Sequence, residues 1–213
     1  PITEWKQSTL YKKQSTPGED GICYAMYQHL PQNFQHIVLK LINQIWNNNQ
    51  ITESWKQAII IPLPKQGKDP TLASSYRPIS LTSTRSKIME TMIANRLKYH
   101  LEKEHLLPEN QSGFRNNRTT IDQLIRIESD IKLAFNNPFK YNRYVTAIFL
   151  DLQKAYDLVW TKGLISKLNK FGINGKMFNW IENILTNRSI KVRIGTETST
   201  HHPLDNGTPQ GSV

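Results

Sequence analysis

The sequence has few of the residues that define several large classes of protein. A single cysteine, Cys23, stands among 213 residues, which excludes a disulfide scaffold and a zinc site built from several cysteines. No apolar run approaches the roughly 20 residues that span a bilayer, which excludes a transmembrane protein. The chain also lacks an initiator methionine and a signal-peptide pattern, so we expect it to be a piece of a longer protein.

The composition instead fits a globular, basic protein. Hydrophobic residues make up 38% of the chain and the mean hydropathy is −0.54, which is polar but well above the composition of a disordered chain. The length suits one large domain or two smaller ones, able to bury enough surface to fold without disulfides or metal. The net charge of +10 is typical of proteins that bind nucleic acid, and also of a merely soluble basic protein.

The basic excess is concentrated in two parts of the chain. Residues 52–103 carry nine basic and four acidic side chains and residues 143–213 carry nine and five, whereas residues 104–142 are balanced. Two positive surfaces beside a cleft would suit a phosphate backbone, whose charge dominates sequence-independent binding. Charge alone supports nucleic-acid binding and a merely soluble basic protein equally.

Apolar periodicity predicts helices alternating with short strands. The segment 144–150 is apolar nearly throughout, which is typical of a central strand buried on both faces. The alternation of elements indicates an α+β or mixed α/β fold. The predicted helices cover 30–46, 88–101, 119–135, 161–170 and 176–186, and the predicted strands cover 58–61, 78–81, 144–150 and 190–194.

Asp151 directly follows the predicted central strand. A carboxylate at the exit of such a strand is held rigidly by the sheet and often binds metal. Mg²⁺ prefers hard oxygen ligands, namely one or two carboxylates together with substrate phosphates. The alternative is that Asp151 caps the next helix. Asp157, six residues later, is better interpreted as a cap or a structural ion-pair residue.

The C-terminal segment 206–213 reads NGTPQGSV and predicts a turn. Its two glycines and one proline allow the backbone to approach a ligand closely. Gln210 offers both donor and acceptor atoms to a nucleotide or a base edge. Taken alone, this octapeptide would indicate only a loop.

In this order, these segments resemble the reverse transcriptase domain of non-LTR retrotransposons, most closely the jockey-like elements of insects. Block 15–22 is similar to the family's SPGPDGI, with Thr16 and Glu19 as departures. FLDLQKAYDLV (149–159) is similar to the polymerase A block, and GTPQGSV (207–213) to the start of the B block, with Thr208 as the departure. The remaining matches are two fingers blocks over 55–70 and 76–97 and a connecting block over 111–123.

The resemblance implies an α+β fold: the fingers and partial palm of a right-hand polymerase, with a mixed or antiparallel palm sheet. The fingers, with helices that connect to the palm, would cover 1–142, and the partial palm 143–213. The implied activity is RNA-directed DNA polymerisation, in which dNTPs are joined to a primer 3′-hydroxyl on an RNA template. The implied partners are an RNA template, a DNA primer and dNTPs, with no membrane, in a nuclear or cytoplasmic protein that is not secreted.

The resemblance also implies the metal ligands and the nucleotide-binding residues. Asp151 would bind both catalytic Mg²⁺ ions, with the Leu152 carbonyl as a further ligand. The remaining matches concern the incoming nucleotide: Lys65 and Arg77 would clasp its triphosphate, Tyr156 would be the aromatic steric gate against a 2′-hydroxyl, and Gln210 would pack beside the bound nucleotide.

The family's C block, an aromatic-x-Asp-Asp hairpin with the remaining metal carboxylates, has no match between residues 1 and 213. We therefore expect the chain alone to be inactive, because one palm carboxylate cannot hold two Mg²⁺ ions. Two alternatives remain open. One is a non-catalytic nucleic-acid-binding remnant of a decayed element, and the other is a related polymerase, such as a group II intron maturase or a viral RNA polymerase.

Overall fold

A computed structural model describes residues 1–10, 12, 16–136 and 144–211. The described residues form helices and strands in an α+β arrangement, which confirms the predicted fold class. The helices are α1 (Ile2–Thr9), α2 (Tyr24–Gln28), α3 (Gln32–Asn48), α4 (Glu53–Lys56), α5 (Thr84–Lys103), α6 (Thr120–Phe135), α7 (Thr161–Lys170) and α8 (Gly175–Leu185). The strands are β1 (Gln57–Pro64), β2 (Tyr76–Leu81), β3 (Arg188–Ile194), β4 (Glu197–Thr198) and β5 (His202–Leu204).

The strands form one mixed sheet. β1 lies between β2, with which it is antiparallel, and β3, with which it is parallel. β4 and β5 pair antiparallel with the other edge of β3, β5 along its first residues and β4 along its last. The β-branched run of β1 explains its central position, since such side chains pack well on a pleated surface with neighbours on both sides.

The core centres on the first half of α5. Ile88 and Met89 are 0% and 1% exposed, and Met92 and Ile93 one turn later are also buried. This spacing places an apolar stripe on one face of the helix. Beside it, Trp5 of α1 is 1% exposed and packs edge-on against a tyrosine of α2.

The chain divides into two compact units. The first comprises Pro1–Arg96 and Lys154–Val213 and contains the whole sheet, and the second comprises Leu97–Gln153. The second unit is tied internally by Arg115, which donates to both carboxylate oxygens of Glu102 at 2.8 and 2.5 Å. The predicted fingers–palm boundary at 142/143 is a functional division that stays a prediction.

Most predicted elements are confirmed, with ends shifted by a few residues. The predicted helix start at Thr119 is confirmed by a reciprocal capping box, in which Thr119 and Asp122 bond each other's backbone N–H. This pattern is readable from sequence because both side chains satisfy N–H groups that the helix leaves unpaired. Ser15 of the first block and Ser212–Val213 of the B block lie outside the described residues.

The predicted central strand over 144–150 is wrong. The segment has no strand in the structure, and its side chains are exposed, with Phe149 84% and Leu150 92% accessible. An apolar run indicates that its side chains favour burial. A β-strand also needs a neighbouring strand whose backbone pairs with its N–H and C=O groups. No strand of the described residues pairs with this segment.

The apolar side of α3, which its helical periodicity predicts to be buried, is only partly covered, and α6 has no covered side. In α3 the buried residues are Leu39 and Ile42, whereas the apolar residues Phe34, Ile37 and Leu41 are about half exposed. α6 has an amphipathic sequence but no buried residue. Periodicity identifies a helix and its apolar side, but whether another element covers that side is decided by the tertiary fold.

None of the helices in the described ranges is both long and apolar enough to cross a lipid bilayer.

Candidate nucleotide-binding site

Lys65 and Arg77 lie at the loop end of the β1–β2 hairpin. Arg77 is exposed and pairs in register with Leu63, while Lys65 immediately follows β1. The backbone N–H of Lys65 donates to the Ser75 carbonyl, and its ammonium donates to the Ser74 carbonyl, both at 2.8 Å. The hairpin therefore holds the backbone of both cations at one end, with the guanidinium of Arg77 open to solvent.

The start of the B block is bonded to the turn that follows the A-block aspartate. The N–H of Gly207 donates to the Val159 carbonyl, and the N–H of Thr208 donates to the Tyr156 carbonyl, both at 2.8 Å. The second bond uses only the backbone of Thr208, so it does not depend on the residue that departs from the family pattern. These bonds fix Tyr156 and the residues that follow it to the B-block segment.

The same segment is also bonded to β2. The N–H of Ser80 donates to the Gln210 carbonyl at 2.7 Å. Because Ser80 and Arg77 share this strand, the bond connects the B block to the strand that carries the hairpin arginine. The structure thus joins Tyr156 and Gln210 through one segment, and attaches that segment to β2.

Two glycines allow these close approaches. Gly207 has φ +90°, and a Cβ there would lie 2.8 Å from the Asp157 carbonyl oxygen. Gly211 has φ +110°, and a Cβ there would lie 3.0 Å from the Ser80 carbonyl oxygen. The sequence predicted that this backbone could approach a ligand, whereas the structure shows that it approaches the protein's own chain.

A cavity of about 280 Å³ lies between the sheet and the B-block segment. Side chains of β1, β2 and β3, among them Ile60, Ser80 and Ile190, form its floor, and residues 206–209 form its opposite wall. Alternate residues of each strand line it, as expected for one face of a pleated sheet. The cavity is a partly open, mostly apolar space beside the segment that carries Gln210.

The carboxylate of Glu90 interacts electrostatically with two buried cations of the core. Burial lowers the pKa of Lys87 on α5 and of Arg188 on β3, and the charge of Glu90 opposes both shifts. Burial, with a smaller contribution from Glu90, raises the pKa of Tyr24 to about 12. The Arg188 guanidinium also donates to the Ile184 carbonyl at 2.9 Å, so Glu90 and this carbonyl offset the cost of burying two cations.

The first block, residues 16–22, docks on the start of α5. Ser83 donates to Asp20 at 2.9 Å, and Thr84 donates to the Ile22 carbonyl at 2.6 Å. Glu19, a departure from the family pattern, forms an ion pair with Lys191 of β3. This departure therefore adds a link between the block and the sheet.

Asp151 and Leu152 belong to the second unit and are both exposed. No helix begins after Asp151 until Thr161, so the alternative that Asp151 caps the next helix is wrong. Asp157 likewise forms no ion pair within the described part of the chain.

The donors at 151–152 fit part of a Mg²⁺ site. A carboxylate and a backbone carbonyl are both hard oxygen ligands. However, no group of three acidic, histidine or cysteine side chains among the described residues could hold a metal ion. The residues present are therefore chemically suited to the metal but too few to hold it alone.

Sequence reasoning missed the residues that build the connections of this site. Asn206 accepts a bond from the N–H of Thr161 through its side chain, at 3.4 Å, and Ser80 and Asp157 contribute through their backbones. The asparagine before a glycine is a turn signal that could have indicated the first contact. The backbone contacts of Ser80 and Asp157 do not depend on their side chains, so no sequence signal identifies them.

The sequence of the chain is similar to those of one known family of proteins. Residues 63–213 match the family described as reverse transcriptase (RNA-dependent DNA polymerase). The chain is 35% identical over its whole length to a probable RNA-directed DNA polymerase from transposon BS of Drosophila melanogaster, covering 23% of that protein. It is 35% identical over 92% of its length to the corresponding X-element protein, and 32% identical over 94% to the jockey polymerase of the same species, covering 21% of each.

The chain thus spans between a fifth and a quarter of the length of these relatives. The predicted resemblance to the polymerases of non-LTR retrotransposons is confirmed by these matches. The chain belongs to the reverse transcriptase family.

Proposed function

We propose that this chain supplies the nucleotide-binding fingers and the first metal-binding carboxylate of an RNA-directed DNA polymerase encoded by a retrotransposon. Its substrates would be dNTPs, a DNA primer and an RNA template. The observation that carries the proposal is the B-block segment, which is bonded at once to the turn around Tyr156 and to the strand of Arg77.

Lys65 and Arg77 would bind the triphosphate. The exposed guanidinium of Arg77 can engage phosphate oxygens with two parallel hydrogen bonds, which favours Arg at such a position. The Lys65 ammonium donates to one carbonyl and has two further donors for a phosphate.

Tyr156 and Gln210 would select the sugar and support the base. Tyr156 is 45% exposed, so its ring is accessible to a ligand, while its carbonyl is fixed by Thr208. An aromatic ring held in this way can exclude a 2′-hydroxyl, the group that distinguishes a ribonucleotide from a deoxyribonucleotide. Gln210 is half-buried and carries both donor and acceptor atoms.

Asp151, with the Leu152 carbonyl, would contribute oxygen ligands to divalent metal, which reverse transcriptases generally use. Bound metal would stabilise charge on the attacking and leaving oxygens of the displacement. Further carboxylates from the rest of the polymerase would complete the set, since the described residues hold no sufficient cluster.

The triphosphate assignment is tested by Arg77→Ala in a polymerase that joins this chain to the C-terminal palm and thumb of a jockey relative. We expect the KM for dNTP to rise about tenfold to a hundredfold, because a charged hydrogen-bonding partner of about 1.5–3 kcal/mol is lost. Arg126→Ala, on an exposed helix position, is the matched control and should leave the KM unchanged. Equal KM values for both variants would refute the assignment.

A further inference from the structure

The exposed surface of α7 and of the turn into α8 carries cations and no carboxylate. No aspartate or glutamate occurs between residues 158 and 181, a stretch that holds four lysines. Between 161 and 176 the exposed residues are only lysine, serine, asparagine and glycine. We call this surface the lysine face and define it by Lys162, Lys167, Lys170 and Lys176.

Among the described residues, these ammonium groups have no partner of opposite charge. No carboxylate of the described residues forms an ion pair with any of them. The Lys176 ammonium donates to the Asn47 side chain at 2.7 Å, and Lys167 lies 5.5 Å from the centre of the Phe171 ring. Both contacts hold an ammonium in place without neutralising it, and leave donors free for an external acceptor.

The acid-free surface continues onto the neighbouring end of α3. Residues 21–52 also contain no aspartate or glutamate. The start of α8 is joined to the end of α3 by the bond between Lys176 and Asn47. A second bond, from Asn183 to the Asn49 carbonyl at 2.8 Å, joins the same two helices beyond the acid-free stretch. The two acid-free stretches therefore meet, and amides extend the surface beyond the lysines.

Helix stability does not account for all of these charges. Lys167 and Lys170 occupy the last turn of α7, where a cation interacts favourably with the helix dipole. Lys162 and Lys176 occupy the first turns of α7 and α8, which contain no acidic residue. A cation in a first turn is opposed by the dipole, so these two lysines cost helix stability and require another explanation.

We propose that the lysine face binds the phosphate backbone of a nucleic-acid strand, as an anchoring surface on elements other than those that carry the nucleotide site. Eight residues of helix separate Lys162 from Lys170, a distance of about 12 Å along the axis. With α7 parallel to the axis of a duplex, this length covers about three to four phosphates of one strand, because successive phosphates rise by about 3.4 Å along that axis. The choice of a nucleic acid as the partner rests on the proposed function; the charge and exposure of the lysine face do not.

The test is the salt dependence of binding by the whole 213-residue chain to fluorescent single-stranded RNA and to an RNA duplex. The variant is the triple substitution Lys162→Gln, Lys167→Gln and Lys170→Gln. Each phosphate contact contributes about 0.7 to the slope of log K against log salt on a single strand and about 0.9 on a DNA duplex. We expect the slope of the triple variant to be shallower than that of the wild type, by about 2 on single-stranded RNA and by somewhat more on the duplex.

The matched control replaces three exposed lysines elsewhere, Lys6, Lys98 and Lys103, by Gln and should leave the slope unchanged. Replacing the three α7 lysines by Arg should keep the wild-type slope. An unchanged slope in the α7 variant, or an equal fall in the control, would overturn the proposal, as would binding to anionic vesicles but not to RNA.

Should the triple variant lose its far-UV CD signal, the same criteria apply to each single Lys→Gln change at about 0.7 per site. The slope does not depend on nucleotide incorporation. A failure of the lysine face is therefore distinguishable from a failure of the nucleotide site, which would appear in the KM for dNTP.

Discussion

Gly207 is the position at which the candidate site is most sensitive to a single methyl group. Its φ is +90° and an added Cβ would lie 2.8 Å from the carbonyl oxygen of Asp157. In Gly207→Ala the methyl group cannot be accommodated without moving one of the two backbones, because its neighbour is main chain rather than a flexible side chain. We expect the bonds from Gly207 to Val159 and from Thr208 to Tyr156 to break.

The cost has two separable parts. A left-handed backbone costs a non-glycine residue about 1–2 kcal/mol, and each lost hydrogen bond costs about 1 kcal/mol, giving about 3–4 kcal/mol in all. Gly195 provides the control, because its φ is +60° and nothing lies within 4 Å of an added Cβ. Gly195→Ala should therefore cost only the backbone part.

The assay is equilibrium unfolding of the 213-residue chain in urea. With a slope of about 2 kcal/mol per molar urea, the midpoint of Gly207→Ala should lie about 1 M below that of Gly195→Ala. Equal midpoints for the two variants would refute the inference that the B-block backbone is packed against the A-block turn.

Three further predictions concern charge and specificity. Hydrogen bonds from Arg96 lower the pKa of Glu4 below its ordinary 4.5, so this pair should stabilise the fold above that pH by about 1 kcal/mol, given its partial exposure; the contribution should disappear in urea titrations as the pH falls through the lowered pKa, and be absent in Glu4→Gln. Glu19→Gln should destabilise the fold by about 1 kcal/mol because it leaves Lys191, whose side chain is 14% exposed, without its partner; a urea midpoint equal to the wild type would contradict this. Tyr156→Ala in the joined polymerase should raise ribonucleotide incorporation about tenfold or more relative to dNTPs, and unchanged discrimination would count against the steric gate.

Local signals predicted much of the fold. The helix start at Thr119, the β-branched run of β1 and the helix around Ile88 each depend on neighbours in sequence or on one face of one element. The same holds for α7 and α8, whose limits were predicted to within about a residue. Such features are readable because helix and strand periodicities are properties of the chain itself.

The errors concern which surfaces are covered. The segment 144–150 and the exposed side of α3 have sequences suited to burial, yet burial depends on a second element that periodicity does not identify. The candidate site shows the same division. Motifs identified Tyr156 and Gln210 as candidates. The bond from Ser80 that connects the B-block segment to β2 is made by backbone atoms, so the types of the residues do not predict it.

The central claim, that this chain carries the first metal-binding carboxylate of an RNA-directed DNA polymerase, is tested most directly by primer extension. The chain joined to the C-terminal palm and thumb of a jockey relative would be given an RNA template, a DNA primer, dNTPs and Mg²⁺, beside the same polymerase carrying Asp151→Asn. Asn keeps the size of the side chain and removes the charge that holds a divalent ion. We predict dNTP incorporation by the unsubstituted polymerase, a loss of about a hundredfold or more in the variant, and none by residues 1–213 alone. Equal incorporation by the polymerase with and without Asp151 would contradict the account.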